Sequence, residues 1–303
     1  MPMDNQFSAW VEAARPRTLP LAVASIAMGG FLAAFNGSFN WIIFLLTVAT
    51  TISLQILSNL ANDYGDSIHG ADHHQRIGPE RMVQSGLISP HRMRRGVRIM
   101  TFLSLIFGVG LLIYSMGFNT PAFYLFLVLG IMAIFAAINY TSGKKPYGYR
   151  GWGDLSVILF FGLVAVLGSY YLQTLQFRWA NMLPAVSCGM FATAVLNINN
   201  VRDIASDRQA GKLSIPVRIG RKQATYYHWT LLLLGLLSSI IFTLVDYRNP
   251  WQWLFLFTIP LLLVNAWVIA TKEGIQLDPY LKQMALTTLI YVLTFGIGLT
   301  LSS

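Results

Sequence analysis

Asn59, Asn62, Asp63 and Asp66 stand at i, i+3, i+4 and i+7 at the end of a long apolar run, and Asp72 follows after Gly70. On a helix that spacing puts the first four side chains on one face. Gly65 and Gly70 predict a helix that loosens here, so that Asp72 returns from a loop. About 140 residues later a second apolar run closes on Asn200, Asp203 and Asp207 at i, i+3 and i+7, with Asn199 one turn before Asp203. Each stripe offers carboxylates and amides to a common cavity. Acids at the mouth of a membrane helix are costly without a cation. At a helix C-terminus they also oppose the macrodipole, where capping prefers Lys or Arg, so caps and salt bridges to nearby arginines account for them poorly. A divalent ion answers both objections. Mg²⁺ takes one or two carboxylates and completes its shell with water and substrate phosphates, whereas Ca²⁺ storage needs a fuller oxygen cage. Two clusters suit two metal ions that clamp a diphosphate and neutralise its charge as it leaves.

The elements that must position these acids are membrane helices. Of 303 residues, 55% are hydrophobic and only 11% charged, with a mean hydropathy of +0.56, which places the chain with polytopic membrane proteins as one domain. About 20 apolar residues span a bilayer. By that rule nine helices are predicted, near 18–36, 39–61, 97–115, 121–140, 153–173, 179–200, 224–245, 251–271 and 282–301. Pro184 and Pro260 fall inside spans and predict kinks. The first residues lack a basic and apolar leader, so the first span is expected to remain as a helix. Of the 21 Lys and Arg, all but Arg178 and Arg248 fall in alternate loops, which predicts a cytoplasmic N-terminus and both acid clusters on the cytoplasmic side. Helices two and six carry the same kind of acidic ending, four helices apart. That offset predicts two pseudo-repeated four-helix halves plus a ninth helix.

A net charge of +9 in a soluble chain would point to nucleic acid, but these basic residues sit in short loops between spans, so no nucleic-acid partner is expected. Those near the acids, Arg76, Arg81, Lys144, Lys145, Arg202, Arg208, Lys212 and Arg218, include candidate diphosphate donors, with Arg76 and Arg202 foremost. Arg15 and Arg17 read as topology charges. His69 and His73 have the spacing of a helical zinc pair, but Gly70 lies between them and no third soft ligand is near, so a solvated loop is expected. The lone Cys188 reads as a small core residue. Tyr140, Tyr147 and Tyr149 flank the lysines, where an aromatic face can stabilise a carbocation.

With these residues in place the chain resembles the UbiA superfamily of intramembrane aromatic prenyltransferases. The resemblance rests on Asn62-Asp63-x-x-Asp66 and Asp203-x-x-x-Asp207. The superfamily often places a third acid four residues after the second. Here that position is Gly70 and the acid is Asp72, which is similar to the menaquinone-biosynthesis branch. Arg15-Pro-Arg-Thr-Leu-Pro20, Arg76-Ile-Gly-Pro79, Pro146-Tyr-Gly-Tyr149 followed by Gly153-Asp154, and Asn197 to Asp203 are further matches to that branch.

The resemblance implies nine helices and two Mg²⁺ ions, one held by Asn62, Asp63, Asp66 and Asp72, the other by Asn199, Asp203 and Asp207. It implies a grip on the diphosphate by Arg202 with the loop cations Arg76, Arg81, Lys144 and Lys145, and an acceptor near Tyr140 and Lys144. The substrates it implies are a polyprenyl diphosphate and 1,4-dihydroxy-2-naphthoate, in a bacterial inner membrane; the long cytoplasmic loop 67–96 is expected to serve as a lid. A relative acting on another acceptor such as 4-hydroxybenzoate, or a membrane transporter, are the rival readings. Transport predicts polar groups through the midplane, whereas these acids concentrate at one face.

Overall fold

A computed structural model describes residues 3–68, 81–143 and 146–303. The described residues are helical without strands. Nine helices among them are long and apolar enough to cross a membrane, and each overlaps one predicted from sequence. An amphipathic helix α1 (Met3–Ala14) leads into α2 (Leu19–Phe35), followed by α3 (Trp41–Ile68), α4 (Pro90–Met116) and α5 (Pro121–Asn139). The fifth span runs from α6 (Gly153–Val157) through a π-helical stretch (Ile158–Leu167) into α7 (Gly168–Thr174). Then come α8 (Met182–Arg202), the short α9 (Ile204–Gln209), α10 (Ile215–Val245), α11 (Ile259–Thr271) and α12 (Asp278–Thr300).

Helix starts follow local chemistry. Ser89, Thr120 and Asn249 each cap a helix that begins with proline, their side chains accepting from Arg92, Phe123 and Trp251 amides. Such a proline gives up an amide that has no partner in the first turn. The same logic corrects the expected kinks. Pro184 lies in the first turn of α8, and Pro260 at the start of α11, just after the 3-10 stretch Pro250–Thr258. Both mark where a helix begins.

α8 is the most buried span, packed against α10, α12 and the π-helical stretch. There Gly162 faces Gly189, and a Cβ on Gly162 would lie 2.7 Å from the Ala185 carbonyl. Without a hydrophobic drive between helices in lipid, this close backbone approach supplies the van der Waals contact that joins them. Neutral polar groups add to it. His228 of α10 meets Asn197 of α8 at 3.3 Å and Asn265 of α11 at 2.8 Å, and Asn265 donates to Gln283 of α12. This chain of contacts ties four spans together.

α3 runs through Gly65 to Ile68 instead of loosening there. Gly65 serves close contact, since a Cβ on it would lie 2.7 Å from the Thr141 carbonyl group and from Ser142 Oγ. The chain after α8 departs the other way. Asp203 leaves helical geometry at φ −99°, ψ 11°, so Asp207 sits in the first turn of α9, where the helix dipole favours an acid.

Candidate active site

A cavity of about 1060 Å³ opens among α2, α3, α4, α5, the fifth span and α8. Most of its wall is apolar, including Phe126, Phe160, Phe161 and Leu163. One end is polar, lined by Asn62, Asp66, Arg81, Asn199, Arg202, Asp203, Asp207 and Lys212. The two acid stripes therefore share one cavity.

Tyr149 joins them. Its hydroxyl donates to Asp66 Oδ1 at 2.6 Å, while its backbone carbonyl accepts from the amide of Leu213 at 2.8 Å, next to Lys212. One residue thus ties the end of α3 to the loop that follows α9. The acids feel each other's charge as well. Burial raises the Asp207 carboxyl above its ordinary range, and the charges of Asp203 and Asp66 raise it further, against the pull of Lys212.

Each cavity carboxylate meets a cation. Asp66 pairs with Arg81, Asp203 with Arg202 at 2.7 Å, and Asp207 with Lys212 at 3.0 Å. Arg202 also binds Asp278 at the start of α12 and donates to Asn199 Oδ1 at 2.9 Å. Salt bridges to local basic residues, set aside in the sequence argument, are thus present at every one of these acids.

Asp63 departs from its expected place. It is 1% exposed, and its two oxygens accept from the amides of Met82 at 3.0 Å and Val83 at 3.1 Å. It is absent from the residues lining the cavity. Its carboxylate anchors the 81–88 turn and so presents Arg81 to Asp66. That half of the expected lid is held down, with Met82 and Ile88 buried against Ala9, Ala13 and Leu60.

The donor set fits Mg²⁺. All the candidate ligands are hard oxygens, and the buried Asn200 Oδ1 on the cavity wall has no hydrogen-bond partner. Among the described residues no three acidic, imidazole or thiol side chains converge into a complete metal cage.

A profile of the UbiA prenyltransferase family matches residues 22–299. The chain belongs to the UbiA prenyltransferase family. It is 45% identical over 300 residues to the 1,4-dihydroxy-2-naphthoate octaprenyltransferase of Escherichia coli (strain K12), covering 98% of this chain and 97% of that protein. It is 36% identical to the protein of the same name from Mycobacterium tuberculosis, covering 95% of each. A UbiA homolog from Aeropyrum pernix K1, solved without ligand, superposes with a TM-score of 0.67 at 16% identity, over 94% of this chain and 96% of that one. One from Archaeoglobus fulgidus, bound to GPP and Mg²⁺, also gives 0.67 at 16% identity, over 96% and 99%. The chain thus has the UbiA fold and is a multi-pass membrane protein.

Of the site residues expected from sequence, this UbiA member brings together Asn62, Asp66, Arg81, Tyr140, Asn199, Arg202, Asp203 and Asp207. Asp63 stands behind them. Asp72, Arg76, Lys144 and Lys145, like His69 and His73, lie outside the described residues. Arg15, Arg17, Asn59 and Lys212 also line the cavity, although the first two read as topology charges. Arg15 has φ +50°, and its carbonyl accepts from the Thr18 hydroxyl at 2.9 Å, while Asn59 donates to Ala14 and Thr18. Left-handed backbone at a non-glycine residue is costly and persists where surrounding contacts fix it, commonly at functional sites. The Arg-Pro-Arg-Thr motif was the signal that pointed to it.

Tyr140 lies on the cavity wall with its ring edge-on to Tyr147, centroids 5.3 Å apart. Burial, and then the charge of Asp154, push its hydroxyl pKa well above the ordinary tyrosine value. Burial raises Tyr147 too, against a hydrogen bond with Ser156.

Proposed function

We propose that residues 1–303 act as one prenyltransferase domain that transfers a polyprenyl group from its diphosphate to 1,4-dihydroxy-2-naphthoate with loss of carbon dioxide, giving demethylmenaquinone in its quinol form. The observation that carries this reading is the cavity itself, which has acids and cations at one end and an apolar wall beyond. A diphosphate head fits the first and a prenyl tail the second. The acceptor is supported by the kinship with naphthoate octaprenyltransferases along nearly the whole chain.

Asn62, Asp66 and Asp72 would hold one Mg²⁺, and Asn199, Asp203 and Asp207 a second, with Asp63 fixing the turn beside them. Bound Mg²⁺ supplies charge neutralisation to a departing diphosphate. Arg81, Arg202 and Lys212 offer donors to the same anion, and their contacts strengthen as it gains the bond electrons, which favours the transition state over the ground state. The apolar wall excludes water that would quench an allylic cation, and the electron-rich naphthoate ring attacks that cation. On this reading both acid clusters face the cytoplasm across a bacterial inner membrane, with the N-terminus inside and the ends of α3 and α8 related by a pseudo-twofold repeat. The loop charges support that sidedness.

Purified protein in liposomes, given 1,4-dihydroxy-2-naphthoate, a polyprenyl diphosphate and Mg²⁺, should release carbon dioxide and a prenylated naphthoquinol, and EDTA should stop it. Product with 4-hydroxybenzoate alone would overturn the acceptor. No product with either from folded protein would overturn the reading as a whole and leave transport as its rival.

A further inference from the structure

An acceptor hydroxyl must lose its proton as the neighbouring ring carbon is alkylated, and the cavity carboxylates are poorly placed to take it. Asp66, Asp203 and Asp207 are each held in an ion pair at the polar, diphosphate end of the cavity.

Asp154 differs from all three. It is 4% exposed in the first turn of α6, takes part in no ion pair among the described residues, and accepts from the Tyr227 hydroxyl of α10 at 2.9 Å. Immediately before it in the chain, Gly153 lies against Tyr140, since a Cβ there would stand 2.7 Å from the Tyr140 hydroxyl oxygen. That hydroxyl makes no hydrogen bond among the described residues, and the Tyr140 ring lines the cavity. Tyr147 is committed elsewhere, with its hydroxyl on Ala136 O at 2.9 Å and Ser156 at 3.1 Å. Tyr140 thus lines the cavity with its ring and sets its hydroxyl against Gly153, the residue next in the chain to a buried carboxylate that makes no ion pair among the described residues.

We propose that Tyr140 and Asp154, with Tyr227 holding the carboxylate, form a proton relay that receives the proton of the acceptor hydroxyl as the ring is alkylated and returns it when carbon dioxide leaves. The relay rests on the acceptor reading above. As the allylic carbon–oxygen bond breaks, its electron pair leaves on the diphosphate. A new bond then forms between the allylic carbon and the ring carbon that bears the carboxylate, while the adjacent hydroxyl becomes a carbonyl and its proton passes through Tyr140 to Asp154. When the ring–carboxylate bond breaks, that pair re-forms the aromatic ring and the oxygen recovers the proton. No proton is consumed overall, so the buried acid needs no exchange with solvent. The raised pKa of Tyr140 keeps it a neutral hydroxyl that passes a proton on and does not store a charge. Lys212, whose charge also reaches Asp154, is held by Asp207.

The test compares wild type, Asp154→Asn, Tyr140→Phe and Tyr227→Phe in liposomes with Mg²⁺, using 1,4-dihydroxy-2-naphthoate and a ring-fluorinated analogue whose hydroxyl is more acidic. Asp154→Asn and Tyr140→Phe should each lower kcat about 100-fold or more, the usual scale of general acid–base catalysis, with KM for the prenyl diphosphate unchanged. The ratio of wild-type to Asp154→Asn kcat should shrink at least tenfold (on the order of one Brønsted decade) with the acidic acceptor. Tyr227→Phe keeps the carboxylate and should lose less, with partial recovery on the same analogue. Asp154→Asn at wild-type kcat would overturn the relay alone. So would a loss equally large with both acceptors, or Tyr227→Phe indifferent to acceptor acidity. No wild-type product from 1,4-dihydroxy-2-naphthoate would remove the acceptor reading and the relay with it.

Discussion

Replacing Gly65 by alanine tests whether the end of α3 must touch the 141–142 segment for Asp66 to be in place. The added Cβ would lie 2.7 Å from the Thr141 carbonyl carbon and oxygen and from Ser142 Oγ, against about 3.4 Å for an ordinary contact. The serine oxygen can rotate away, but the Thr141 backbone cannot. The same segment is tied to α3 by Thr141 Oγ1, which donates to Ala61 O at 3.2 Å and Asn62 Oδ1 at 3.1 Å. The two backbones must therefore separate by several tenths of an ångström, shifting Asn62 and the Asp66–Tyr149 contact together. Overpacking of this kind costs about 1–3 kcal/mol, and a misplacement approaching 1 Å costs up to about 100-fold in rate. Gly65→Ala should thus lower kcat roughly ten- to hundredfold and reduce thermal stability in detergent. Gly110→Ala is the control. A Cβ there meets nothing within 4 Å, and alanine in a helix interior is about 1 kcal/mol better than glycine. Wild-type kcat and an unchanged Tm for Gly65→Ala would refute the argument that this contact sets the site.

Asp66→Asn and Asp203→Asn should each lower turnover at least about 100-fold if each carboxylate anchors charge at the leaving group, and near-normal rates in purified protein would remove that role. Asp63→Asn should act through the turn, since an amide in place of the carboxylate can accept only one of the Met82 and Val83 amides well. Increased proteolysis near residue 81 should accompany its loss of activity. The raised Asp207 pKa has a definite sign. A proton competes with a metal for a carboxylate, so the Mg²⁺ concentration for half-maximal rate should climb as pH falls, beginning above the ordinary aspartate range. Asp207→Asn should flatten that dependence. Lys222 is exposed, and Lys222→Ala should leave kcat within about twofold, as is usual for surface sites away from chemistry. A large loss would mean that the diphosphate end of the cavity is misassigned.

The sequence by itself determined what is local along the chain. Span length and hydropathy are sums over neighbouring residues, so nine helices were legible. The pairing of two acid-ended spans was legible too, because residue type and spacing carry it. What the spacing left undecided is which of several residues on one helical face reaches the cavity. Asp63 and Asp66 are three residues apart, yet one is taken by the Met82 and Val83 amides and the other faces Arg81 and Tyr149. Gly65 read as a breaker because glycine loosens an isolated helix, whereas here a backbone from 76 residues away occupies the space its missing side chain leaves. Asp203 read as one member of a helical stripe running on to Asp207, whereas helical geometry breaks at Asp203 itself, with Arg202 held between it and Asp278 from the last span. Tyr149 and Asp154 gained their places in the same way, through partners on α3, on the loop after α9 and on α10. These outcomes depend on contacts between segments far apart in sequence, and only the packed arrangement of the helices supplies them.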